Sequence, residues 1–132
     1  MSSNLKISII TVSSNSVITI RDTIESILSQ DYKNIEYIII DAGSKDGTLD
    51  IIKGYEDHIS YFISEADNGI YDGMNKGIAA ATGDVVGILN SDDFYPNSFA
   101  ISNVVRTFEK ERCDAVYGDL VYVKFFDIDK IV

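Results

Sequence analysis

The sequence has 132 residues, 45% of them hydrophobic and 24% charged, which suits one globular domain with its own core and excludes a disordered chain. Its formal net charge of −10 and pI near 4.3 exclude attraction to nucleic acid or an anionic membrane through bulk electrostatics, so no nucleic-acid partner is expected. One cysteine, Cys113, and one histidine, His58, rule out an internal disulfide, a cysteine-based zinc site and a histidine-rich metal site.

Cys113 is expected to be a buried thiol, and His58, after Glu56 and Asp57, a solvated loop residue. The apolar runs, such as Ile7 to Val12 and Val85 to Leu89, fall well short of the ~20 residues of a membrane span. The N-terminal run is also too short for a signal-peptide core. The expectation is a cytoplasmic protein, free or peripheral at the inner face of a membrane.

Strand and helix patterns alternate along the whole chain, which predicts an α/β fold with a mostly parallel sheet and helices on both faces. Lys6 to Val12 is continuous and β-branched, as in a strand buried on both sides. Ser13-Ser14-Asn15-Ser16 breaks it and offers side-chain oxygens as helix caps. Val17, Ile20, Ile24, Ile27 and Leu28 then recur at helical spacing, with Arg21, Asp22 and Glu25 on the other face. Ile35 to Ile40 is a second strand ending at Asp41, and Thr48 to Lys53 a short helix closed by Gly54. Ile59 to Ile63 is a third strand, Ile70 to Ala81 a helix, and Asp84 to Leu89 a fourth strand running into Asn90-Ser91-Asp92-Asp93. Asn97 to Glu111 reads as a helix, and Ala115 to Phe126 as one last strand, bent near Gly118-Asp119. No repeat or linker interrupts this order, so residues 1–132 form a single domain.

Ligands of open α/β sheets bind beyond the carboxyl ends of the parallel strands. Polar residues gather there: Thr11, Ser13 and Asn15 after the first strand, Asp41 after the second, Asp92 and Asp93 after the fourth. Carboxylates converging without a basic partner repel one another unless a cation or hydrogen-bond donors intervene. A divalent ion is one solution, oxygen ligands suiting Mg²⁺ or Mn²⁺, and an ion so held accepts phosphate oxygens. The alternative is that each aspartate only caps a turn. No Gly-x-Gly-x-x-Gly follows the first strand and Gly43 to Thr48 lacks a Gly-Lys-Ser/Thr ending, which disfavours dinucleotide and P-loop chemistry.

Four segments carry a resemblance. Ile7 to Val12, Tyr37 to Thr48 with its Ser44-Lys45-Asp46-Gly47-Thr48 turn, Asp67 to Ile78, and Ala81 to Asp84 with Leu89 to Asp93 stand in the order and spacing of family 2 glycosyltransferases. The third segment resembles the signature of a subgroup active on bacterial polysaccharides. The resemblance implies a Rossmann-like GT-A fold that binds a nucleotide-diphosphate sugar, UDP-sugars being favoured, with Mg²⁺ or Mn²⁺. By position it implies that Thr11 and Asn15 line the nucleotide pocket, that Asp41 bonds the base or ribose, and that Asp92 contacts the ribose or sugar. It implies Asp93 as metal ligand, and Asn68, Gly69 and Asn75 in the segment passing over the nucleotide. Gly69 and Gly77 have a second reading as turn or packing glycines, and Tyr71 as either a stacking or a core residue.

Two departures stand out: Met74 replaces an arginine frequent in relatives, and Val12-Ser13-Ser14-Asn15 replaces a turn with an aromatic residue. Relatives also continue past the segment resembling 116–123, supplying a carboxylate general base and the acceptor pocket. Asp119, Asp127 and Asp129 do not match that base, so the catalytic residue stays unknown. The expectation is therefore a nucleotide-sugar-binding domain, truncated before its acceptor half, of an enzyme transferring sugar with inversion to a polysaccharide or lipid-linked acceptor. The alternative is a donor-binding or assembly module without turnover. An uncovered last strand, 115–126, further implies self-association into a homo-oligomer.

Overall fold

The computed structural model describes residues 5–111, 115–117 and 121–124, with residue 111 and the two short stretches described by backbone alone. The elements run β1 (Ile7–Ser13), α1 (Ile20–Leu28), β2 (Ile35–Asp41), α2 (Thr48–Lys53), a 3-10 turn (Glu56–His58), β3 (Tyr61–Ser64), α3 (Ile70–Ala80), β4 (Val85–Ile88), α4 (Ala100–Glu111), β5 (Ala115–Tyr117) and β6 (Val121–Lys124).

Because side chains alternate along a strand, β1 and β2 each feed two cores. Ile7, Ile9, Tyr37 and Ile39 point to one face, where they pack with Ile20, Ile24 and Ile27 of α1, Ile52 of α2 and Ile101, Val105 and Phe108 of α4. Ile10, Val12, Ile38 and Ile40 point to the other face, under Met74 and Ile78 of α3. Burial on both faces is why these strands read as unbroken apolar runs. Helices cover both sides, as the α/β pattern predicts.

The sheet order is β3-β2-β1-β4-β6-β5. β1 pairs in parallel with both β2 and β4, and β2 with β3, while β6 runs antiparallel to β4 and to β5. The chain thus moves outward from β1 to β3, then crosses back to place β4 on the other side of β1. That reversal opens a crevice between the tips of β1 and β4, where open α/β sheets hold ligands.

α3 lies unusually close to β1, and its two glycines explain how. A Cβ at Gly73 would stand 2.7 Å from Val12 Cγ1, and one at Gly77 2.4 Å from Ile10 Cγ2. Four residues apart, they share one helix face and let the backbone rest on the strand. The packing reading of Gly77 is therefore the one observed.

Three element boundaries correct the sequence reading. α1 begins at Ile20 without a side-chain cap; of the serine hydroxyls expected as caps, those of Ser13 and Ser16 meet Asp41 and Ser91 instead. α4 begins at Ala100 rather than Asn97, because the Asn97 and Ser98 carbonyls bond Gln30 Nε2 (2.6 Å) and the Asp31 amide (2.7 Å) outside the helix. The single last strand is two antiparallel strands, β5 and β6, with β6 inserted between β4 and β5. Gly118-Asp119 falls between them, and a β-branched composition alone does not separate one long strand from a hairpin. Cys113, Asp119, Asp127 and Asp129 lie outside the described residues. No helix among the described residues is long and apolar enough to cross a membrane.

Candidate functional site

The crevice is a cleft of about 420 Å³, of the size that holds a small ligand. Val12, Ser13, Ser14 and Ser16 come from the tip of β1, Ala42 from beyond β2, Asp67, Gly69 and Ile70 from the entry to α3, and Asn90, Ser91 and Asp92 from beyond β4.

Its walls are held by a network of hydroxyls. In the turn after β1, the Asn15, Ser16 and Val17 amides donate in succession to Ser44 Oγ (2.8 Å), Thr48 Oγ1 (2.8 Å) and Asp46 Oδ2 (3.2 Å). The Ser44-to-Thr48 turn is thus the mould on which the β1 tip is cast. Asn15 takes a left-handed φ of 47°, a conformation asparagine tolerates better than most residues, and its Oδ1 accepts from the Lys45 amide at 2.9 Å. Ser16 Oγ and Ser91 Oγ lie 2.6 Å apart and tie the β1 turn to the β4 turn. Beneath, Thr23 Oγ1 of α1 lies 3.0 Å from Ser91 O and 2.5 Å from Asp93 O, which fixes the Asn90-to-Asp93 turn on the helix.

Asp41 is fully buried at the end of β2. Its Oδ1 accepts from Ser13 Oγ (2.7 Å) and Ser44 Oγ (2.6 Å), and its Oδ2 from the Gly43 and Ser44 amides (3.0 and 2.7 Å) and Ser64 Oγ (2.8 Å). Burial pushes this carboxyl up, but the bonds from Ser13, Ser44 and Ser64 outweigh it and hold it below the ordinary carboxylate value. Hydroxyls and amides compensate the charge.

The convergence of Asp41, Asp92 and Asp93 expected from the sequence is therefore not what the strand tips build. Among the described residues, no group of three or more His, Cys, Asp or Glu is gathered to hold a metal ion. Of the residues singled out, Gly69 and Asp92 line the cleft. Thr11 is buried two residues short of the strand end, on the α1 side, with its Oγ1 2.9 Å from Tyr37 OH. Asn15 acts beside the cleft through its amide and its Oδ1, and Asp41 stands behind Ser13. Asp93 is exposed next to Asp92, and Asn68 and Asn75 are exposed on and before α3 without lining the cleft. Tyr71, 78% exposed, is not a core residue, and His58 is exposed as expected.

Asp67 and Asn90 were quoted in motifs without a role, yet each has a buried oxygen with no hydrogen-bond partner, Asp67 Oδ2 and Asn90 Oδ1. The only sequence signal for them was their place, one before α3 and one just after β4. Among the described residues no lysine or arginine lines the cleft, while two carboxylates, Asp67 and Asp92, do. Such a donor set suits Mg²⁺ or Mn²⁺, which is commonly held by one or two carboxylates together with substrate phosphates. The residues fit a cation shared with a bound diphosphate; they do not form a cage that closes around one unaided.

A family profile described as glycosyl transferase family 2 matches residues 8–127. An uncharacterized glycosyltransferase of Mycobacterium tuberculosis is 38% identical over 107 residues, covering 80% of this chain and 41% of the relative. Among solved structures, the mannosyltransferase PcManGT from Pyrobaculum calidifontis, in complex with GDP-Man and Mn²⁺, superposes with a TM-score of 0.86 at 18% identity, over 98% of this chain and 47% of that one. Residues 1–349 of TarS from S. aureus, in complex with UDP-GlcNAc, give a TM-score of 0.77 at 23% identity, over 84% of this chain and 33% of that one. These two establish the fold, a GT-A-type Rossmann-like sheet. The chain spans about two-fifths of the length of the curated relative. By the profile match over most of its length, the chain belongs to glycosyl transferase family 2.

Proposed function

We propose that the chain binds a nucleotide-diphosphate sugar in the cleft between β1 and β4 and presents the sugar for transfer to a polysaccharide or lipid-linked acceptor. The observation that carries this reading is the cleft itself: it sits at the topological reversal of the sheet, and two of the residues lining it, Asp67 and Asn90, each hold a buried oxygen without a partner.

In this reading the serine-lined tip of β1 receives the nucleotide, and Gly69 with Ile70 forms the wall on the α3 side. Asp92 and the adjacent Asp93 offer the oxygen ligands for Mg²⁺ or Mn²⁺. A divalent cation supplies there the positive charge that stabilises a diphosphate leaving group. Thr23 keeps that pair in place from below. Thr11, Asn15 and Asp41 act as positioning residues for the β1 tip, and Asn68 and Asn75 extend the exposed segment above it. The bound nucleotide of two structural neighbours, GDP-Man in one and UDP-GlcNAc in the other, supports the class of ligand but not a choice of base.

Calorimetric titration with UDP- and GDP-sugars, with and without Mn²⁺, tests the reading. Saturable binding of one series that strengthens with Mn²⁺ is expected. Absence of binding by both series in the presence of Mn²⁺ overturns it. Release of nucleoside diphosphate on adding acceptor separates a transferase from a module that only binds donor.

A further inference from the structure

We infer that the Ser91 hydroxyl donates a hydrogen bond to an oxygen of the ligand's diphosphate, with Ser16 as the positioning residue that turns this proton into the cleft; this rests on the donor-binding reading above. Both serines line the cleft, one from the β1 turn and one from the β4 turn, and their Oγ atoms lie 2.6 Å apart. Their main chains are held on every side. The Ser16 amide donates to Thr48 Oγ1 at 2.8 Å, and its carbonyl accepts from the Thr19 and Ile20 amides (3.1 and 2.9 Å). The Ser91 carbonyl accepts from Thr23 Oγ1 at 3.0 Å, and its amide donates to Val12 O at 3.3 Å. With both backbones fixed, what remains adjustable is the direction of the two hydroxyl protons.

Two hydroxyls carry two protons, and the bond between them holds only one. If Ser91 donates to Ser16, the Ser16 proton is left with the Ser14 carbonyl at 3.3 Å, beyond the ~2.5–3.0 Å of ordinary O–H···O bonds. If Ser16 donates to Ser91, the Ser91 proton meets no acceptor among the described residues. An acceptor entering the cleft beside Ser91 selects the second direction. The chain then runs Ser16 to Ser91 to ligand, and each bond polarises the next. A phosphate oxygen suits this place because it is charged and can only accept, whereas a sugar hydroxyl can supply its own proton. Asp67 and Asp92 repel such a ligand, and Ser13 Oγ is already committed to Asp41 at 2.7 Å. Ser91 also directly precedes Asp92, the lining carboxylate that would share a cation with the diphosphate, so one turn offers that group a cation and a proton together.

The test measures binding of UDP and GDP at saturating Mn²⁺ to the wild type, Ser91→Ala, Ser16→Ala and the double variant. With the better of the two nucleotides, Ser91→Ala is expected to bind about tenfold or more weakly, the usual size of a lost bond to a charged group. Ser16→Ala should lose less, since Ser91 keeps its proton but not its direction, and the double variant should bind no more weakly than Ser91→Ala alone. The matching nucleoside, followed by ligand-observed NMR, should bind all these proteins alike. Thermal midpoints within a few degrees of wild type keep the comparison free of misfolding. Ser91→Cys, of similar shape but a weaker donor, takes the place of Ser91→Ala should that variant fold poorly, and the same loss confined to the diphosphate is expected of it. Unchanged nucleotide affinity without the Ser91 hydroxyl overturns the proposal and leaves the donor-binding reading standing. So does an equal loss for nucleoside and nucleotide, which makes Ser91 a residue of pocket shape, or a loss seen with the nucleotide sugar alone, which moves the contact to the sugar. Losses that simply add in the double variant overturn the role given to Ser16. A wild type that binds neither nucleotide overturns the donor-binding reading and this proposal together.

Discussion

Ser13 and Asp41 face each other as register partners at the ends of β1 and β2, and the serine hydroxyl donates to the aspartate at 2.7 Å. Through this bond a cleft residue leans on a carboxylate that is itself closed to solvent. Five donors converge on Asp41, so its charge is a fixed point from which the β1 tip, the Gly43–Ser44 turn and the end of β3 are hung.

Replacing Asp41 by alanine strands those five donors in a buried space. We expect a loss of about 3 kcal/mol or more, since unsatisfied buried groups cost about 1–3 kcal/mol each and partial relaxation recovers some of it. The pH dependence has a definite sign. The folded carboxyl is held below its ordinary value, so its contribution is complete above the unfolded value near ~3.9 and is lost as pH falls through the folded value. Urea unfolding of the wild type should therefore lose stability below about pH 4, and Asp41→Asn should flatten that acid limb. An acid limb of equal slope in both proteins would place the titrating group elsewhere.

Gly73→Ala and Gly77→Ala test the contact between α3 and β1. On an exposed helix the change to alanine gains about 1 kcal/mol. Here the added Cβ would stand 2.7 Å from Val12 Cγ1 and 2.4 Å from Ile10 Cγ2, both methyls on stiff, β-branched side chains. Overpacking of that kind costs about 1–3 kcal/mol, so a net destabilisation is expected at both sites. Gly73→Ala should also weaken nucleotide binding, because the displaced Val12 and Asp67 line the cleft, whereas Gly77→Ala should alter stability alone. Equal effects of the two on binding would show that the helix shifts as a whole.

Much of this was readable in the sequence, and the failures have physical causes. Continuous β-branched runs gave β1, β2 and β4 to within a residue or two, because burial on both faces leaves no alternation to misread. The tips of β1, β2 and β4, singled out as the ligand end, are where the cleft lies. What pattern could not show is where an aspartate's partners come from. Ser13 and Ser64 are far from Asp41 in sequence, and nothing in a motif says that they join the nearby Ser44 in satisfying it. Nor does a motif show that Thr11 shares the face of Ile7 and Ile9 and lies below the strand end, with its hydroxyl beside that of Tyr37. Asp67 and Asn90 escaped because lacking a partner is a property of packing, not of residue type.

The β4 turn offers a prediction about action at one remove. Thr23 Oγ1 lies within hydrogen-bond distance of Ser91 O and Asp93 O, so a helix side chain sets the direction of the Asp92-Asp93 pair. Thr23→Val keeps the shape of the side chain and removes the donor. It should cost about 1 kcal/mol in stability and, if the pair binds the cation, raise the Mn²⁺ requirement for UDP binding several-fold. Thr23→Ser, which restores the hydroxyl, should recover most of that. A Thr23→Val protein with unchanged Mn²⁺ dependence would mean that the turn holds its geometry without the helix.

Asp92 and Asp93 are adjacent but differently placed, and the difference can be measured. Asp92 lines the cleft, while Asp93 is exposed beside it and is anchored by its backbone. If the cation is shared with a diphosphate inside the cleft, both carboxylates can reach it only from different sides. Each neutral variant, Asp92→Asn and Asp93→Asn, should then lower affinity for UDP in Mn²⁺ by about tenfold or more, because a single charge-assisted contact is worth about 1.5–3 kcal/mol. The metal-free remainder separates them. Asp92→Asn should also change binding in EDTA, since its side chain meets the ligand directly, whereas Asp93→Asn should leave that remainder intact. Loss of all Mn²⁺ dependence in Asp92→Asn with none in Asp93→Asn would move the cation wholly onto the cleft wall and release Asp93 from the site.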